Sequence, residues 1–124
     1  MKLNHLNLCV NELSDAIVFF QSLFDFQLLE QKGDFIAVLS DSNGFTLVLS
    51  KLRSDQDAAS LYPKDFHLGF YVDTMTEVDQ FYQKLAAAGI ATEQEPKMIR
   101  DGYTMYFKAL SGILFEITCF NIHN

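Results

Sequence analysis

Two histidines and one acid are the side chains here whose types and settings could do chemistry together. His5 lies in Asn4-His5-Leu6-Asn7-Leu8-Cys9-Val10, and His67 in Phe66-His67-Leu68-Gly69-Phe70-Tyr71-Val72. Glu116 interrupts the apolar run Leu114-Phe115-Glu116-Ile117. A carboxylate in such a run is costly unless something pairs with it. A divalent cation held by two imidazoles would compensate it, and two His plus one carboxylate with open positions is a facial arrangement suited to metal-assisted chemistry. The plainer reading is that the histidines hydrogen-bond Glu116 in a structural polar cluster.

The elements that must position these residues come in duplicate. Phe19-Phe20-Gln21-Ser22-Leu23 parallels Phe81-Tyr82-Gln83-Lys84-Leu85 at the spacing of 62 residues that also separates the histidines. Gly44 to Ser50 resembles Gly112 to Thr118 at a spacing of 68. Such self-similarity points to two pseudo-symmetric modules. Leu3 to Val10 alternates, so Leu6, Leu8 and Val10 share one strand face while His5, Asn7 and Cys9 share the other. The same period puts Ile113, Phe115, Ile117 and Cys119 on one face, and Leu114, Glu116 and Thr118 on the other. Glu116 and both histidines therefore occupy faces of the same class, opposite the apolar side.

Asn11 to Ser14 reads as a capping turn, and Asp15 to Phe24 as a helix with the stripe Ala16, Phe19, Phe20, Leu23 and Phe24. Strands are expected over 26–30, 34–40 and 45–50, the last two joined by an Asn-Gly hairpin signal. The polar stretch 51–63 is expected to link module 1 (1–50) to module 2 (64–120) within a single domain. Module 2 repeats the pattern. It has a strand over 65–72, a helix over 76–88 capped by Thr76 and closed by Gly89, then strands over 91–95, 103–108 and 112–120. The fold class is thus α+β, two βαβββ modules. His123 falls in a polar tail expected to be exposed.

Composition sets bounds. The 124 residues include 12 Phe and 5 Tyr, enough for one domain with an aromatic core. A net charge of −7 argues against a nucleic-acid partner and mildly favours neutral or cationic ligands. The chain contains no apolar run long enough for a membrane span, and its start has no signal-peptide pattern. Cys9 and Cys119 are isolated, so a cytoplasmic protein with free thiols is expected.

The βαβββ repeat, Leu3-Asn4-His5-Leu6-Asn7-Leu8-Cys9-Val10, the Ile17-Val18-Phe19-Phe20 helix and Gly112-Ile113-Leu114-Phe115-Glu116-Ile117 resemble the vicinal oxygen chelate superfamily. It comprises glyoxalase I, extradiol dioxygenases, fosfomycin-resistance thiol transferases and bleomycin-binding proteins. The resemblance implies a cup-shaped, partly open mixed sheet with helices outside, and a homodimer in which the partner can complete the cup. It implies that His5, His67 and Glu116 bind a divalent metal (Fe, Mn, Ni or Zn). The fourth ligand position, a Glu in glyoxalase I, is Val48 here. Tyr106 matches an active-site tyrosine and would act with Glu116 in catalysis. Asn7, Val48, Thr104 and Tyr106 would line the substrate cavity. The turn before the last strand, Ala109-Leu110-Ser111-Gly112, departs from the superfamily's usual Asp-Pro-Asp-Gly. No histidine lies between His5 and His67, so a dioxygenase proton carrier is missing. Two activities stand open: metal-dependent conversion of an oxygen-bearing small molecule, or metal-free sequestration of a drug of the bleomycin kind.

Overall fold

Alternation of apolar and polar residues becomes two sheets, each with a helix on its apolar side. The computed structural model describes residues 1–53 and 61–121. Most of the expected 51–63 linker, and His123, lie outside them. Contacts divide the chain into one unit of residues 1–61 and another of 62–124.

The first unit runs β1 (His5–Val10), α1 (Leu13–Phe24), β2 (Gln27–Lys32), β3 (Ile36–Ser40) and β4 (Thr46–Lys51). Its sheet order is β1-β4-β3-β2, with β1 parallel to β4 and the other pairs antiparallel. The second unit repeats this with β5 (His67–Tyr71), α2 (Met75–Ala87), β6 (Lys97–Ile99), β7 (Gly102–Ala109) and β8 (Ile113–Cys119), in the order β5-β8-β7-β6. Both sheets are mixed and open, so the expected α+β duplication is present.

The expected strand faces hold. Leu8, Val10, Ala37, Leu39, Leu47 and Leu49 are buried against α1, and Met105, Phe107, Ile113, Phe115 and Ile117 form the core of the second unit. The Asn-Gly hairpin is closed by Asp41, whose Oδ1 accepts from the backbone N–H of Asn43 and of Phe45, both at 2.8 Å.

Three local expectations are corrected. The helix α1 begins at Leu13, and it buries Leu13 and Ile17 while Phe19 and Phe24 are only half-buried. The buried stripe is Leu13, Ala16, Ile17, Phe20 and Leu23, with Phe20 the one ring fully buried. The helix α2 begins at Met75, capped by Thr74 rather than Thr76. Thr74 is extended, and its Oγ1 accepts from the Glu77 N–H at 3.1 Å. The segment 91–95 is not a strand. Pro96 cannot donate to a ladder, so pairing with β7 starts only at Lys97.

Candidate functional site

Register brings the chemistry of the second unit onto one rank of one face. Gly69 on β5 pairs with Glu116 on β8, which pairs with Tyr106 on β7. Next to this rank, His67 pairs with Leu114 and Leu114 with Lys108. Gly69 has no side chain, and a Cβ there would meet nothing within 4 Å. Open space therefore lies beside the carboxylate, and the imidazole reaches Glu116 diagonally. His67 Nε2 stands 3.3 Å from Glu116 Oε1, with side-chain exposures of 40% and 20%.

The other ring nitrogen decides what that contact means. His67 Nδ1 lies 2.9 Å from the Asp65 carbonyl oxygen. A carbonyl can only accept, so Nδ1 carries the proton and donates. Nε2 then either carries a second proton or turns a lone pair toward an anionic oxygen. Two lone pairs at that separation repel unless a cation sits with them. The pair thus calls for a proton or a metal ion, and backbone fixation of Nδ1 is the arrangement that readies Nε2 as a ligand.

Tyr106 completes the group. Its ring meets the His67 ring nearly edge-on, with centroids 6.1 Å apart. Burial raises its pKa, followed by the hydrogen bond to Glu116 and that group's charge, with Arg100 opposing. The phenol therefore keeps its proton at neutral pH and serves as a donor. A cavity of about 260 Å³ runs along this part of β7, lined by Glu93, Glu95, Lys97, Thr104, Tyr106, Lys108 and Leu114 among others. His67 and Glu116 are not among its lining residues. Thr104, expected at the cavity, lines it but is buried, with its Oγ1 2.6 Å from Thr118 Oγ1.

The equivalent rank of the first unit is Asn7, Val48 and Val38. Two valines stand where the second unit has an acid and a phenol. Asn7 Oδ1 accepts from Ser50 Oγ at 2.9 Å, and exposed His5 has Nδ1 2.7 Å from Asn4 Oδ1. Both histidines thus have Nδ1 engaged by an oxygen from a nearby preceding residue. Among the described residues no group of three or more His, Cys, Asp or Glu side chains is assembled to hold a metal. The structure brings His67, Glu116 and Tyr106 together, while His5 and Asn7 form their own polar pattern in the first unit.

Sequence reasoning missed the Asp65 carbonyl and Gly69. Gly69 could have been found, because it occupies the repeat position of Asn7. It also missed Tyr103, whose hydroxyl donates to Asp79 Oδ1 at 2.6 Å and so ties β7 to α2. That bond is the main reason its pKa rises to about 12, with burial next. The folded state holds this proton more tightly than the unfolded chain, whose tyrosine titrates near ~10. The contribution is therefore complete below about pH 10 and is lost as pH rises through about 12. Tyr103→Phe is expected to cost about 1 kcal/mol at neutral pH and to flatten the alkaline fall in stability, measured by urea unfolding across that range.

No helix among the described residues is long and apolar enough to cross a membrane. The profile of the Glyoxalase/Bleomycin resistance protein/Dioxygenase superfamily matches residues 2–117. A structure described as a possible glyoxalase from Bacillus cereus shares 34% identity, covering 96% of this chain and 99% of that one at a TM-score of 0.83. Two others show likeness of fold. Lactoylglutathione lyase from Agrobacterium tumefaciens is 20% identical, with 94% and 92% of the two chains covered and a TM-score of 0.75. A mutant of the fosfomycin resistance protein FosX from Listeria monocytogenes, complexed with Mn(II) and 1S,2S-dihydroxypropylphosphonic acid, is also 20% identical, with 95% and 88% covered and a TM-score of 0.75. No curated protein sequence matches the chain.

Proposed function

The chain belongs to the glyoxalase/bleomycin resistance/dioxygenase superfamily, and on that premise we propose that it is a metal-dependent enzyme acting on an oxygen-bearing small molecule. The observation that carries the reading is the His67 Nε2–Glu116 Oε1 approach at 3.3 Å with Nδ1 already committed to the Asp65 carbonyl. This donor set, one neutral nitrogen and one carboxylate, suits a divalent transition metal. His5 is proposed as the third ligand, from its matching repeat position and its engaged Nδ1. A bound cation of this kind supplies Lewis-acid stabilisation of negative charge on a chelated oxygen.

The chain's own residues then have distinct tasks. Tyr106, protonated and beside Glu116, donates to a substrate oxygen and steadies the developing charge. Glu116, partly screened from water, is the group that can take or return a proton. Val48, in the rank where glyoxalase I has a fourth ligand, leaves an apolar wall near Asn7. We assign the protein to the cytoplasm, as a homodimer with a small-molecule substrate.

Titration of metal-free protein with Mn(II), Zn(II), Ni(II) and anaerobic Fe(II) by calorimetry tests the reading. Stoichiometric micromolar or tighter binding, lost in His67→Ala, is expected. No binding by any of the four would end it. A second reading, metal-free sequestration of a small molecule, is favoured by the direct closure of His67 on Glu116. It would be supported by tight capture of bleomycin by protein that takes up no metal.

A further inference from the structure

We infer that the second unit carries an aryl-binding platform, built by Tyr71 and Phe120, which selects substrates with an aromatic group one step away from the reacting oxygens. This rests on the proposed reading of the His67–Glu116 site and adds the substrate class.

The two rings stack with centroids 5.7 Å apart and planes at 19°. Both remain largely in water, at 56% and 60% exposure. Two large rings held parallel and still exposed leave aromatic surface available to a third planar group. Tyr71 shares its strand face with His67 and Gly69, and Phe120 shares that of Glu116 and Thr118. The platform is therefore on the same side of the sheet as the candidate site.

Its position is set by glycine. A Cβ on Gly102 would lie 3.2 Å from Phe120 Cδ1 and 2.7 Å from Thr118 Oγ1. Only a residue without a side chain lets the Phe120 ring and the Thr118 hydroxyl settle there together. Tyr71 pairs with Thr118, two residues beyond Glu116 on β8. The platform thus begins about 7 Å from the carboxylate along the strand. In the same rank as Tyr71 lies the Thr104–Thr118 hydroxyl pair, whose oxygens are 2.6 Å apart and share one hydrogen bond. Along the face, the rank of Glu116 and Tyr106 is followed by the rank of Tyr71, Thr118 and Thr104, and then by Phe120. A substrate spanning it has vicinal oxygens at one end and an aryl group a few bonds away.

Mn(II)-loaded protein is titrated with acetohydroxamate and with 4-phenylbutyrohydroxamate, which share a bidentate chelating head. The aryl compound is expected to bind at least about tenfold tighter. Tyr71→Leu with Phe120→Leu should erase that gain while leaving acetohydroxamate affinity unchanged. A separate arm uses metal-free protein and 4-phenylbutanol, which has no chelating head. It is expected to shift the Tyr71 and Phe120 ring proton resonances selectively. If Mn(II) does not bind, the hydroxamates are compared on whichever of Zn(II), Ni(II) or Fe(II) does; if none binds, the metalloenzyme reading fails and the platform is decided by this arm alone. Equal affinities for the two hydroxamates, or 4-phenylbutanol leaving both rings unshifted, overturns the platform.

Discussion

Glu116→Gln is expected to lower Mn(II) affinity by about a hundredfold or more, measured by calorimetry, with little change in the thermal unfolding midpoint. The size follows from the loss of an anionic ligand, since even outer-shell substitutions cost up to about a hundredfold. The unchanged stability follows from geometry. The glutamine amide can donate its N–H to the His67 Nε2 lone pair, across the present 3.3 Å approach, and its oxygen can still accept from Tyr106. The hydrogen-bonded group survives without its charge. A pair retained only for structure would behave in the opposite way: no effect on metal uptake, with any change confined to unfolding. Unaltered Mn(II) affinity in this variant would show that Glu116 is not a ligand.

Phe115→Ala should be the most disruptive single change in the second unit, costing about 3–5 kcal/mol by urea unfolding. Phe115 is fully buried, stacks on Phe107 with centroids 5.2 Å apart, and pairs in register with Leu68. Truncation leaves a hole between helix and sheet that neighbours on strands cannot fill without losing register. The loss would consume much of a small domain's typical net stability of about 5–15 kcal/mol. Phe115 also directly precedes Glu116, so the strand that presents the acid loses its anchor. Exposed Val18 is the control; Val18→Ala should stay within about 0.5 kcal/mol. If the two units melt separately, only the transition of the second should move. A loss below about 1 kcal/mol would mean that the core closes over the gap.

The duplication and the strand faces were legible because a period of two leaves little choice once one side is apolar. Leu6, Leu8 and Val10 against His5 and Asn7 is such a case, and so is Ile113 to Cys119 around Glu116. Helix ends were less legible. Thr74 and Thr76 are both plausible caps, and the backbone, extended only at Thr74, chooses between them. The strand expected over 91–95 rested on a short weak pattern, and Pro96 displaced the pairing toward β7. At the site, the residue types were readable but the partners were not. The Asp65 carbonyl carries no side-chain signal. The Tyr71–Phe120 stack depends on a register between β5 and β8 that becomes visible only when the strands are aligned. The Tyr103–Asp79 bond likewise joins a strand to a helix 24 residues away.

The two imidazoles are steered by different kinds of oxygen, and this gives the two halves different tolerance of mutation. Asn4 holds His5 through its own side chain, so most replacements at position 4 release the ring. His67 is held by the main chain of residue 65, which every amino acid supplies. Position 65 can therefore be substituted without removing the oxygen that holds the ring, whereas most substitutions at position 4 remove it. One half of the duplicated unit is buffered against sequence change by its peptide geometry, and the other depends on keeping a particular letter.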